Sequence, residues 1–345
     1  MAKIAVESET NAARAAVRGE RHVPVRRILA WGAGWSVFDV VCSFGPKDRA
    51  FEEQHGDACI AIVTTGTFQY RSSAGCELMT PGSLLLGNAG QYFECGHEHG
   101  AGDRCIAFQY APEYFEELAA HSRVRRLVSG ERRATRGAGS YFRKLRIPPL
   151  REFSGLVARA WAGLMESSNA SGPGNQTTRT GERGGRDSLR DAANSKIGAA
   201  PWEEIGLELA ACALRLANDE PRNSSGASPA TEARVTRIVR TIESNPDEGH
   251  DLGALAREAR LSRYHFLRVF QQLTGLTPHQ YIVRMRLRLA AIRLMLEPGR
   301  VADIALDCGF GDISNFNHAF RAEFGVSPRA CRENRSAVLG LKVAP

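Results

Sequence analysis

The sequence predicts an α+β protein: an N-terminal β-barrel or sandwich with flanking helices, followed by an all-α segment holding two helix-turn-helix units. Three observations carry this reading. From Trp31 to Tyr110 short apolar stretches alternate with glycine-marked turns. After Pro112 the apolar period lengthens from that of a strand to that of a helix. The last hundred or so residues contain an internal repeat. The 345 residues leave room for two domains, and 43% hydrophobic with 24% charged residues excludes a rod, a collagen or a wholly disordered chain.

Taken in order, residues 1–24 read as a loose polar tail. Strands are expected at Trp35 to Val41, Cys59 to Thr64, Thr67 to Arg71, Ser83 to Leu86 and Arg104 to Gln109, with turns at Thr65-Gly66, Ala74-Gly75 and Pro81-Gly82. Tyr114, Phe115, Leu118, His121 and Val124 make one helical face, and Leu150, Phe153, Val157, Trp161 and Leu164 another. Residues 166–200 are rich in Ser, Gly, Asn, Thr and Arg and read as a disordered insertion. Trp202, Ile205, Leu209, Cys212 and Leu216 follow at a spacing that suits either a helix-pair seam or packing within their own domain. A linker at 221–231 closes the N-terminal domain of residues 25–220, and a helical domain of residues 232–335 precedes a short tail, 336–345.

The repeat is specific. Leu252, Leu255, Ala256, Ala259 and Leu261 recur as Val301, Ile304, Ala305, Cys308 and Phe310 at an offset of 49. Phe266, Phe270, Gly275, Thr277 and Pro278 recur as Phe316, Phe320, Gly325, Ser327 and Pro328 at an offset of 50, so the second copy gains one residue in its turn, between Gly309 and Asp312. Each copy reads as helix, turn, helix, with Phe266 and Phe270, or Phe316 and Phe320, buried on the first helix. Ser262 and Asp312 are placed to cap the second helices. The opposite faces then carry Arg263, Tyr264, Leu267, Arg268 and Gln271, and Ser314, Asn317, His318 and Arg321. Such side chains match base edges and phosphates of a major groove. The net charge of +7 fits an anionic partner, and 40 of the 45 basic residues are arginine.

Leu289 to Leu296, Ile304 to Phe310 and Ser314 to Pro328 together resemble the signature of the AraC/XylS family of bacterial transcription regulators. The resemblance covers about residues 232–335. It implies a seven-helix DNA-binding domain, double-stranded DNA and RNA polymerase as partners, and activation of transcription. By motif position the base-reading residues fall on Tyr264, Arg268 and His318, flanked by Arg263, Leu267, Ser314, Asn317 and Arg321. Ile313 stands where the family usually has a polar residue, and His318 where Arg is frequent. Family members often add a cupin-type barrel that senses an effector or dimerises, and residues 25–220 are similar in strand and turn pattern.

One N-terminal stretch carries metal-type chemistry. Cys95, His97, His99 and Cys105 lie close in sequence, and His-x-His puts two imidazoles on one side of an extended chain. Three readings stay open: a site for zinc or another soft or borderline metal, a redox pair of Cys95 and Cys105, or a polar barrel rim with Cys95 as a small hydrophobe. The eight cysteines are irregularly spaced and read as thiols or ligands, not as a disulfide framework. No apolar run approaches the roughly 18 residues of a membrane span, and Met1 to His22 has no apolar core of a signal peptide. A cytoplasmic protein without a membrane partner is expected. The competing class is a metal-dependent cupin-type enzyme with a helical accessory domain, but no Ser-His-Asp triad, P-loop or dinucleotide fingerprint is present.

Overall fold

The computed structural model describes residues 24–98, 100–121, 140–170, 178–179, 201–217 and 227–333. Nine strands come first: β1 (Val25–Gly32), β2 (Trp35–Cys42), β3 (Phe51–Gln54), β4 (Ala58–Gly66), β5 (Phe68–Ser72), β6 (Gly75–Met79), β7 (Leu84–Gly87), β8 (Tyr92–Gly96) and β9 (Asp103–Tyr110). After α1 (Pro112–His121) and β10 (Arg146–Ile147) come α2 (Ser154–Ala170), β11 (Thr178–Arg179) and α3 (Trp202–Leu216). The strands form a seven-stranded sheet, β10-β7-β4-β9-β2-β1-β11, and a four-stranded sheet, β3-β8-β5-β6, antiparallel throughout. No described strand belongs to both, so the unit is an open sandwich and not a closed barrel.

β4 shows why the large sheet is buried on both faces. Ile60 and Ile62 point to a core shared with Phe108, Phe115, Val157, Ile205 and Leu209, so helices cover that side. Cys59, Ala61 and Val63 point to the other, packing with Tyr70, Met79, Cys95 and Cys105 between the sheets. Gly66 ends this strand at φ +76°, where a Cβ would meet the Gly102 carbonyl oxygen at 2.2 Å. All five expected strands are present, as are the turns at Ala74-Gly75 and Pro81-Gly82, whereas Thr65 and Gly66 still belong to β4 and the chain breaks from strand only at Thr67. β1, β3, β6 and β8 escaped the reading because they lack a continuous apolar run, being half-exposed or on the smaller sheet.

One expectation is corrected here, and one that the sequence left open is decided. The insertion does not begin at residue 166: α2 continues to Ala170, with Ser167 buried and its hydroxyl donating to the Gly163 carbonyl at 2.8 Å. Thr178–Arg179 adds a short antiparallel edge to β1. The remainder of 166–200, the tail at 1–23, Val124 and the tail beyond 333 lie outside the described residues. The stripe on α3 packs within its own domain, with Trp202, Ile205, Leu209 and Cys212 buried against Phe108 and Phe115 and not held open for a second chain.

The described residues of the C-terminal part form seven helices: α4 (Pro229–Ser244), α5 (Leu252–Glu258), α6 (Arg263–Thr274), α7 (Pro278–Leu296), α8 (Val301–Asp307), α9 (Ile313–Phe324) and α10 (Pro328–Glu333). α4 fastens this part to the sandwich. Arg240 donates to Thr67 Oγ1 at 2.8 Å and to the Ala101 and Gly102 carbonyls at 2.8 and 3.1 Å, while the Gly66 N–H donates to Glu243 at 2.8 Å. α2 reaches further. Its Ala158 and Ala162 share one core with Leu287, Ala290, Leu294, Phe316 and Phe320, so the second helix-turn-helix unit is completed by a helix from the N-terminal part.

Candidate nucleic-acid interface

The two helix-turn-helix units follow from the repeat, and their turns close in the same way. The Leu261 N–H donates to the Ala256 carbonyl at 3.0 Å, and the Phe310 N–H to that of Ala305 at 3.1 Å. Before each stands a left-handed residue, Arg260 at φ +53° and Gly309 at φ +86°. The residue added in the second copy is then Gly311, since Ser262 and Asp312 again coincide as caps. Arginine in the left-handed region costs about 1–2 kcal/mol that glycine does not. Arg260→Gly should therefore be neutral or stabilising by up to about 1 kcal/mol. Gly309→Ala should cost about 1–3 kcal/mol, because its Cβ would meet the Asp247 carbonyl oxygen at 2.7 Å. Urea unfolding midpoints of the two variants check this contrast.

The caps form as expected. Ser262 accepts from the His265 N–H at 3.3 Å, and Asp312 from the Ser314 and Asn315 N–H groups at 3.1 and 2.9 Å. Phe266, Phe270, Phe316 and Phe320 are fully buried, with ring centroids 5.5 Å apart in the first pair and 5.4 Å in the second. Burial of these rings turns the other faces outward. Arg263, Tyr264, Arg268, Ser314, Asn317, His318 and Arg321 are exposed, Leu267 is partly so, and Tyr264 is 76% exposed. Ile313, the departure from the family pattern, is partly buried against the second core, which accounts for an apolar side chain there.

The arginines sort into two kinds. Those of α7 are engaged inside the protein: Arg284 pairs with Glu323 at 3.0 Å, Arg286 donates to the carbonyls of Pro246, Glu248 and Gly309, and Arg293 holds Glu297 and Asp307, both at 2.9 Å. Arg288 is buried, with its guanidinium against Gly82. Arg263, Arg268 and Arg321 form no ion pair among the described residues. An exposed guanidinium with no internal partner keeps its donors for a phosphate or a guanine.

Among the described residues, Cys95, His97 and Cys105 do not form one ligand cluster. Cys95 lies in β8 within the core between the sheets, His97 follows the strand's end, and His99 lies outside the described residues. Cys105 is buried in β9, its thiol 3.5 Å from Asp103 Oδ1. The structure instead brings Cys42 and Asp103 to His97. All eight cysteines are free thiols. Burial pushes Cys95 and Cys105 well above the ordinary thiol range, with the Asp103 charge adding to it, so the thiolate that disulfide exchange requires is scarce.

Residues 255–334 match a family described as a helix-turn-helix domain. The HTH-type transcriptional activator RhaS of Escherichia fergusonii is 38% identical over 109 residues, 32% of this chain and 39% of that one. RhaS of Klebsiella pneumoniae is 38% identical over 120 residues, 34% and 43% of the two chains. This chain thus spans about two fifths of the length of the curated relatives it matches. The crystal structure of the AdpA DNA-binding domain with a target DNA is 31% identical, covers 30% of this chain and 94% of its own, and superposes with a TM-score of 0.29. The enzyme reading receives no support from these matches. The repeated units, the caps and the matched segment agree: residues 255–334 form a helix-turn-helix domain similar to that of the RhaS activators.

Proposed function

We propose that the chain is a sequence-specific DNA-binding transcriptional regulator, and an activator, that reads two adjacent major-groove segments of duplex DNA with α6 and α9. One observation carries this reading: two repeated, capped helices present outward faces whose arginines have no ion-pair partner among the described residues. The RhaS relatives, named as transcriptional activators, support it over the matched segment. α7, with 19 residues at about 1.5 Å each, is a rod of roughly 28 Å between the two units. That length suits recognition helices set about one DNA turn apart. Arg263, Tyr264, Leu267 and Arg268 act in one groove segment and Ser314, Asn317, His318 and Arg321 in the next. The N-terminal sandwich senses an effector or forms a dimer, RNA polymerase is the further protein partner, and the protein works in the cytoplasm. Among the described residues no helix is long and apolar enough to cross a membrane.

Selection of preferred duplexes from a random pool by the full chain tests this. Wild type should enrich a two-part site. Arg268→Ala should lose preference at one base pair, at a cost of about 1–3 kcal/mol, whereas Arg321→Ala should weaken all sequences alike if it meets phosphate only. No enrichment of any sequence by folded protein would overturn the reading.

A further inference from the structure

Away from the DNA-facing helices, three strand ends place unlike donors together. Cys42 closes β2, His97 follows β8 and Asp103 opens β9. One ligand atom from each, a thiol sulfur, a ring nitrogen and a carboxylate oxygen, all lie within 4.8 Å of one another. His97 Nε2 is 2.5 Å from Asp103 Oδ2, and all three residues are buried. The other ring nitrogen, His97 Nδ1, is buried without a hydrogen-bond partner among the described residues. The rings of Phe44 and Phe68 stack near the imidazole at 6.1 and 6.0 Å and exclude water from it.

We propose that Cys42, His97 and Asp103 bind one divalent metal ion of the zinc class. The donor set is the argument. One sulfur, one imidazole nitrogen and one carboxylate oxygen suit a borderline ion. Around a tetrahedral ion with bonds of 2.0–2.3 Å, neighbouring donors stand roughly 3.4–3.8 Å apart, so donors already within 4.8 Å need only small side-chain movements. The ion takes the place of the hydrogen between His97 Nε2 and Asp103 Oδ2, and that hydrogen and the thiol proton of Cys42 both leave to solvent as protons when the ligands bind. Three protein ligands leave a fourth position for a water molecule. The site also has a place in the molecule: the Ala101 and Gly102 carbonyls, in the loop between two of its ligands, are those held by Arg240 of α4. An ion here is one loop away from the helix that leads into the DNA-binding half. The inference goes beyond the DNA-binding reading and does not depend on it.

The experiment is a cobalt(II) titration of reduced, metal-free full-length chain without DNA. One equivalent should produce the visible bands of a tetrahedral site and a sulfur-to-cobalt charge-transfer band in the near ultraviolet, and equimolar zinc should abolish both, since zinc binds such sites more tightly. Cys42→Ser should remove the charge-transfer band, and His97→Gln and Asp103→Asn should each weaken binding at least tenfold. Cys76→Ser, at an exposed thiol, should change nothing. Circular dichroism reports whether each variant is folded. A folded wild-type chain that gives no cobalt spectrum at a large metal excess overturns the proposal. So does a charge-transfer band that survives Cys42→Ser but disappears in Cys76→Ser. Because no DNA is present, either failure leaves the DNA-binding reading to its own test.

Discussion

Raising the salt from about 50 to 200 mM should weaken duplex binding by the full chain roughly 300- to 1,000-fold. From residue 231 onward the sequence holds 17 basic and 12 acidic residues, a modest excess. What matters more is which cations are free. Arg284 and Arg293 are bound to carboxylates and Arg286 to carbonyls, so they release no DNA counterions. Arg263, Arg268 and Arg321 stand on the two outward faces together with helix N-termini, which also bind phosphate. Contact with about four to six phosphates gives a slope of log K against log salt of about −4 to −5. Fluorescence anisotropy with a labelled duplex across that range checks it. A flat profile would mean that the outward faces do not meet a polyanion.

The largest stability effect is expected at Phe316. Its ring is fully buried, 5.0 Å from that of Phe310 and 5.4 Å from that of Phe320, in the core that Ala158 and Ala162 complete. Phe316→Ala removes the anchor of the second unit and should cost about 3–5 kcal/mol. Tyr264→Ala, at a side chain 76% exposed, should stay within about 0.5 kcal/mol of wild type in stability while reducing DNA affinity. Urea unfolding of both variants beside a duplex titration separates the two roles. An unchanged midpoint for Phe316→Ala would show that the second unit is not held by this core.

The seven-helix segment was legible because a repeat constrains it twice over: Phe266 and Phe316, or Ser262 and Asp312, must do the same job in both copies. The central strands were legible because burial on both faces made them continuous apolar runs, as in β4 and β7. β3 and β8 were not, since Glu52, Glu53, Tyr92 and Glu94 mark a sheet exposed on one side. The outward residues of α6 and α9 were predictable by elimination once the phenylalanines were assigned inward. The Cys42, His97 and Asp103 cluster was invisible because its members are 55 and 6 residues apart along the chain: the pairing of β2 with β9 joins Cys42 to Asp103, and the end of β8, in the other sheet, brings His97 to them. No local pattern encodes a register. The part of α2 in the second unit escaped for a similar reason: Ala158 and Ala162 read as spacers behind the larger face of Val157, Trp161 and Leu164.

That helix has an evolutionary consequence. Proteins of this architecture are often imagined as interchangeable halves, one that listens and one that reads, joined by a tether. Here α2 leaves the ribosome more than a hundred residues before α9, and the core of the second reading unit includes two side chains from outside that unit's own sequence. A chimera that keeps residues 227–333 but takes its upstream half from a relative would also replace Ala158 and Ala162, whose small side chains set how closely α2 approaches α7 and α9. Recombination at the boundary would then alter the tilt of one reading helix along with the signal, and such exchanges should succeed only when α2 travels with the C-terminal half.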